Sequence, residues 1–160
     1  MVAATDEIFL RSVRTSFADV GKRLAAAVGR LGPADVNWRA AAGSNSVANL
    51  VHHICGNAHQ RIVSNIGGAQ DTRNREAEFA APTEASAEQL VRLVEDTFRQ
   101  VDAVLATLPA DRLLEAGPRG YGSSHLETLH FCLGHVREHL GQVILIAKQR
   151  LGSRWEGFSA

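Results

Sequence analysis

Hydrophobic residues recur at intervals of three and four along most of the chain, which is the spacing of one face of an α-helix. The first such stretch predicts a helix over residues 5–31, whose apolar positions are Ile8, Phe9, Val13, Phe17, Val20, Leu24, Val28 and Leu31. A second helix is predicted to begin near residues 44–46, where short polar side chains can cap free backbone N–H groups, and to end at residues 66–68.

The second half of the chain contains two more helical stretches, and each starts with a capping signal. Ser86 is followed three residues later by Gln89, and Ser124 is followed by Glu127 in the same way. The earlier of these two helices is predicted to end at Pro109, because proline cannot continue the backbone hydrogen bonds of a helix.

The connections complete the predicted fold. Residues 69–85 are polar and irregular and form the longest connection, and residues 116–124 form another loop. No segment alternates between apolar and polar residues with a period of two, so no strand is predicted. We therefore expect an all-α protein, a four-helix bundle with a long crossover connection, formed by a single domain over residues 1–160.

The composition carries no strong charge bias and excludes several function classes. The 17 basic residues balance 17 acidic ones, so the formal net charge is zero, and we expect no nucleic-acid partner. No apolar run approaches the roughly 18 residues of a membrane span, so we expect no membrane partner. The N-terminal segment lacks the pattern of a signal peptide. Together with the two unpaired cysteines, Cys55 and Cys132, this predicts a cytoplasmic protein.

The last predicted helix contains the clearest candidate chemistry. His135 and His139 lie four residues apart, so both imidazoles project from the same side of the helix. Two such rings can reach one ion at Zn–N distances of about 2.0–2.1 Å. The alternative is that both histidines are partly exposed and bonded to water, so this spacing alone is a weak indication of metal binding.

The second predicted helix offers a third ligand. Its segment NLVHHICGNAHQR contains His52, His53 and His59. Three histidines on one ion would leave an open coordination position, as in catalytic sites, whereas structural zinc sites are usually closed by four protein ligands. Periodicity does not choose between His52 and His53, because each lies well off the centre of the apolar stripe.

These motifs together resemble the DinB/YfiT-like superfamily of helical-bundle metalloproteins. NSVANLVHHICGN at residues 45–57 is similar to its serine-initiated helix that carries one histidine. HVREHLGQVILIAK at residues 135–148 is similar to its late helix, in which two histidines precede Gly-Gln. NW at 37–38, TRNREAEF at 72–79 and GSRWEGFS at 152–159 resemble one branch that has no assigned reaction, and the resemblance covers nearly the whole chain.

The resemblance implies a set of metal ligands by position. His53, seven residues after Ser46, matches the early histidine, and His135 and His139 match the late pair. His52 remains the fallback ligand, since His59 lies two helical turns further along the same side of the helix as His52. Asn57 and Gln142 could hydrogen-bond a ligand or orient an imidazole, and each could equally be an exposed amide. Cys132 could approach the metal, but the favoured interpretation is a small buried core residue. Two histidines near the start of the last helix match no ligand position and are expected to face solvent or to cap the helix: His125 and His130.

The resemblance also implies a class of function. Superfamily members include thiol-dependent isomerases and S-transferases, in which a metal activates a low-molecular-weight thiol. We therefore expect a metal-dependent enzyme acting on a small-molecule substrate, a thiol S-transferase or a hydrolase, in which a metal-bound water or thiolate performs the chemistry. Zinc is the first candidate metal, with nickel or iron as alternatives, because imidazole suits all three. The alternative is a non-catalytic metal-binding protein of the stress response. Whichever of these two functions the protein has, we expect it to form a homodimer.

Overall fold

The computed structural model describes residues 4–80, 85–117 and 122–158 of the chain. Six α-helices occur in these ranges: α1 (Ala4–Val28), α2 (Pro33–Val36), α3 (Val47–Ala58), α4 (Arg75–Phe79), α5 (Ala87–Thr107) and α6 (His125–Leu151). A π-helical turn, His59–Ser64, continues α3 without a break, and 3₁₀ turns occupy Ala110–Arg112 and Gly152–Arg154. The described residues contain no strand, so the all-α prediction is confirmed.

The predicted serine caps begin three of the long helices. Ser46 and Ser86 each accept a hydrogen bond from the backbone of the third helical residue, whose side chain bonds back to the serine N–H. Ser124 also accepts such a bond from the backbone of Glu127. The Glu127 carboxylate, however, accepts from the backbone N–H of Ser123 at 2.7 Å, so the expected reciprocal bond to Ser124 is not formed.

Helices α1, α3, α5 and α6 contribute most of the buried residues of one hydrophobic core. Helix α1 packs against α5 and α6, and α3 also packs against these two helices. Most of the predicted apolar stripe of the first helix is buried in this core, but Ile8 is 54% exposed. The packing of α3 against α6 matters most for function, because these two helices carry the histidine motifs.

The long connection before α5 is more ordered than its composition suggests. Residues 75–79 form helix α4, which Asn74 caps by accepting a hydrogen bond from the backbone N–H of Ala77 at 3.1 Å. The helix α4 packs against α3. Residues 81–84 of this connection, and residues 118–121 of the predicted loop before α6, lie outside the described residues.

Over the described ranges, none of the helices combines the length and the apolar character that crossing a bilayer requires.

Candidate metal centre

Three histidines from two helices converge at one point between α3 and α6. His53 lies on α3, and His135 and His139 lie one turn apart on α6. One ring nitrogen from each histidine can be chosen so that all three lie within 4.8 Å of one another, and the Nε2 atoms of His53 and His135 are 2.9 Å apart. The structure thus brings together the three residues that the family resemblance indicated.

The donor set fits a divalent ion of the first transition series. Ligands about 2.0–2.1 Å from a tetrahedral ion lie about 3.3 Å from one another, so the observed nitrogen separations require only small ring movements. The ring centroids of the three pairs are 5.0, 4.9 and 4.5 Å apart, and the rings meet edge to face. Imidazole nitrogens are suitable ligands for zinc, nickel and iron alike.

The sequence positions the three rings through helix geometry and packing. Residues four apart on a helix share one face, which aligns His135 with His139. Helix α3 lies close enough to α6 for the Cys132 thiol to donate a hydrogen bond to Asn57 Oδ1 at 3.6 Å. That contact is buried and lies on the histidine-bearing side of both helices, so it joins the two halves of the site.

Two of the three rings have their second nitrogen held by another side chain. The Nδ1 atom of His53 lies 2.8 Å from Glu78 Oε2, and the Nδ1 atom of His139 lies 3.0 Å from Gln142 Oε1. Such contacts fix the orientation of an imidazole and are common around metal ligands. Gln142 thus lies within hydrogen-bond distance of His139, and its supporting role stays a prediction.

A buried ion pair adjoins the site. Arg73 donates from Nε to Glu78 Oε1 at 2.6 Å and from Nη2 to Glu78 Oε2 at 2.8 Å. Both side chains are only 7% exposed. Burial acts to raise the pKa of Glu78, but the hydrogen bonds from Arg73 and His53 outweigh it, and the pKa lies below its ordinary value. Glu78 is therefore an ionised carboxylate at neutral pH.

Two of the three histidines, His135 and His53, are shifted toward the neutral form of the imidazole. Burial, followed by the nearby His139 and His53, lowers the pKa of His135 to about 4. Burial also lowers the pKa of His53, and the hydrogen bond to Glu78 offsets this only in part. Because a neutral imidazole presents a lone pair and an imidazolium does not, these shifts favour metal binding.

The fallback histidines lie elsewhere. His52 and His59 line a cavity of about 570 Å³ between α3 and α5, which residues of the 72–78 segment also line. Burial lowers the pKa of His52, but its ring does not belong to the histidine group between α3 and α6. Of the two neighbouring histidines, His53 is thus the one that approaches the pair on α6.

Cys132 is fully buried, which confirms its interpretation as a small core residue, and its thiol donates a hydrogen bond to Asn57 Oδ1. Asn57 is buried as well, so it is not an exposed amide. Burial raises the pKa of the Cys132 thiol to about 12, so it remains protonated.

His130 is exposed as predicted, but the expectation for His125 is wrong: it is 2% exposed. The first turn of α6 is bonded to residues 113–115, since the backbone N–H of His125 donates to the Glu115 carbonyl at 2.8 Å, and Ser124 provides the cap.

Sequence reasoning missed the acidic and basic residues beside the site. Glu78 and Arg73 belong to the TRNREAEF segment at 72–79, which was noted for its resemblance but given no role. The usable signal was an arginine and a glutamate five residues apart in a segment otherwise lacking a periodic apolar pattern. Only the folded chain shows that both side chains reach a histidine on α3.

Comparison with known proteins identifies the family. No curated protein matches the chain. A family model described as "Protein of unknown function (DUF1572)" matches residues 4–160, which is almost the full length. The chain therefore belongs to the DUF1572 family.

Proposed function

We propose that His53, His135 and His139 bind one divalent metal ion, with zinc as the first candidate and nickel or iron as alternatives. The observation that carries the proposal is the convergence of one ring nitrogen from each residue within 4.8 Å. Among the described residues, no fourth histidine, cysteine or carboxylate belongs to this group. Three protein ligands leave a coordination position for water or substrate, which is typical of a catalytic centre.

The charge balance of the surroundings supports a catalytic ion. The three imidazoles are neutral ligands, and the nearby carboxylate of Glu78 is already paired with Arg73. The positive charge of the ion would therefore remain largely uncompensated. Such an ion lowers the pKa of a bound water toward about 7 and stabilises a bound thiol as its thiolate.

Thiol transfer is the reaction class that the surroundings favour over hydrolysis. A hydrolase commonly uses a carboxylate beside the metal as its general base. Glu78, the buried carboxylate of the described site, instead accepts hydrogen bonds from Arg73 and His53 on both of its oxygens. A metal-bound thiolate is a nucleophile without a separate base, so a low-molecular-weight thiol and a small electrophile are the proposed substrates.

The proposal includes the architecture that the sequence resemblance implied. In it, α1, α3, α5 and α6 form a DinB/YfiT-like four-helix bundle in a single domain, and two chains associate as a homodimer. The pairwise packing of these four helices around one core supports the bundle. Both cysteines are free, which suits the reducing environment of the cytoplasm.

The experiment is an assay of zinc-loaded protein with a panel of cysteine-containing thiols and chlorodinitrobenzene. In this reaction the sulfur–carbon bond forms, the carbon–chlorine bond breaks, chloride leaves and the thiol proton passes to solvent. We expect a rate above the uncatalysed one that His139→Ala abolishes, and little hydrolysis of nitrophenyl acetate. Hydrolysis without thiol transfer would select the hydrolase. A zinc-loaded protein inactive in both assays would favour the non-catalytic metal-binding protein.

A further inference from the structure

We propose that Glu78, held in place by Arg73, is a positioning residue for the metal centre. It fixes the His53 ring as the tautomer that carries its proton on Nδ1, so that the Nε2 lone pair faces His135 and His139. This inference rests on the proposed function, because it assigns the residue that prepares one ligand of that site. Glu78 contacts His53 and does not belong to the group of three proposed ligands, so its role is to orient His53.

The tautomer follows from the hydrogen-bonding capacity of the partners. The Glu78 carboxylate receives two hydrogen bonds from the Arg73 guanidinium, so it is ionised and can only accept. Its Oε2 atom lies 2.8 Å from His53 Nδ1, a distance that requires a proton between them. Arg73 Nη2 lies 3.3 Å from the same Nδ1 but only donates, so it cannot be the acceptor of that proton. The proton therefore belongs to Nδ1, and Nε2 carries the lone pair.

Glu78 is anchored independently of His53. Arg73 Nη1 donates to Gln60 Oε1 at 2.9 Å, and Gln60 Nε2 donates to Asp71 Oδ2 at 2.8 Å. Asn49 Nδ2 donates to the backbone carbonyl of Glu78 at 2.9 Å, which fastens the end of α4 to the first turn of α3. Gln60 lies in the π-helical turn, and such turns occur often at functional sites. Arg73 and Asn49 thus hold the side chain and the backbone of Glu78 independently of the His53 imidazole.

Gly56 provides the space in which this pair lies against α3. A Cβ atom at this position would stand 2.2 Å from Glu78 Oε1 and 3.2 Å from Arg73 Nε. Any larger residue would displace the carboxylate without altering a metal ligand. This gives the positioning role a test that leaves His53, Arg73 and Glu78 all present.

A purely architectural ion pair would make a different prediction. If Arg73 and Glu78 only fastened the 72–79 segment to α3, the charge on residue 78 would matter for stability and not for the imidazole. The protonation pattern of His53 separates the two roles, because it reports the hydrogen bond directly. It can be measured in metal-free protein, so it does not depend on the metal assignment.

The experiment compares wild type, Glu78→Leu and the control Glu76→Leu, which alters an exposed residue of the same helix. Leucine offers His53 no acceptor, whereas glutamine would still offer an amide oxygen. Long-range proton–nitrogen NMR of metal-free protein reads the tautomer of His53, and competition with a chelator measures the Zn²⁺ dissociation constant. We expect Nδ1–H in wild type and Glu76→Leu, loss of that signature in Glu78→Leu, and zinc affinity about 10–100-fold weaker in Glu78→Leu alone. An unchanged tautomer or unchanged affinity in a folded Glu78→Leu protein would overturn the proposal.

A pair of glycine variants tests the same inference while retaining Glu78. Gly56→Ala should weaken zinc binding, because the new Cβ displaces the carboxylate. Gly134 lies on α6, and a Cβ atom there would meet no atom within 4 Å, so Gly134→Ala should not weaken zinc binding. Equal zinc affinity in the two variants would overturn the positioning role. Failure of wild type to bind zinc would instead reject the proposed function, and the tautomer measurement would still support or overturn the assignment of Glu78.

Discussion

Removal of Arg73 should destabilise the protein far more than removal of an arginine from an exposed ion pair. In Arg73→Ala, Glu78 would remain buried without its counter-ion, and Gln60 would lose the donor at 2.9 Å from its oxygen. Breaking a buried pair by removing one partner costs about 3–5 kcal/mol. The matched control is Arg92→Ala. In wild type Arg92 forms an ion pair with Glu88, one helical turn away, and both side chains are largely exposed. Exposed pairs of this kind contribute about 0.3–0.5 kcal/mol.

Urea denaturation of the metal-free proteins measures this difference without interference from bound zinc. With a urea dependence of about 2 kcal/mol per molar, Arg73→Ala should lower the unfolding midpoint by about 1.5–2.5 M. Arg92→Ala should lower it by a few tenths molar at most. Equal midpoints for the two variants at neutral pH would refute the reasoning that the Arg73–Glu78 pair is a buried, mutually compensating pair.

The pH dependence provides a second test of the same prediction. In wild type the pKa of Glu78 is lowered in the folded state. Its contribution to the free energy of unfolding is therefore present above the ordinary carboxyl pKa and is lost as the pH falls through the folded-state pKa. Without Arg73, burial raises the pKa, so the variant regains stability as the pH falls and Glu78 becomes protonated. The stability difference between wild type and Arg73→Ala should therefore narrow as the pH falls. A difference that stays constant between neutral pH and acid would contradict the assignment of charge to Glu78.

Three other outcomes are expected. Zinc affinity should fall as the pH falls, because protonated imidazoles cannot ligate, and chelator competition at several pH values checks this direction. The Cys132 thiol should resist alkylation by iodoacetamide in the native protein and react after unfolding, since burial raises its pKa to about 12; rapid native labelling of Cys132, identified by mass spectrometry, would be inconsistent with this. Light scattering should give the mass of a homodimer, and a monomer across a wide concentration range would reject that proposal.

The helices were predictable because their signals are local. Apolar spacing marks the buried face of each helix, and the serines at positions 46, 86 and 124 cap the three helices that follow them. The role of Glu127 was not predictable from its spacing. Ser123, next to Ser124, offers the Glu127 carboxylate a second backbone N–H donor. Which of the two serines donates depends on the path of the preceding loop.

The candidate site was predictable only in part, because its supporting contacts are not local. The spacing of His135 and His139 fixes their common direction, but periodicity left His52 and His53 equivalent. Packing distinguishes them: His53 faces α6, whereas His52 lines the cavity toward α5. Glu78 meets His53 across 25 residues of sequence, through a connection that no periodic pattern describes.

The central claim, that His53, His135 and His139 form one metal site, is tested most directly by elemental analysis of single alanine variants. After equal exposure to zinc and removal of weakly bound metal, wild type and His52→Ala should retain about one ion per chain, as expected for a single three-histidine site. His53→Ala and His139→Ala should lose the ion while circular dichroism shows that they remain helical. Loss of zinc from His52→Ala together with its retention by His53→Ala would contradict the account.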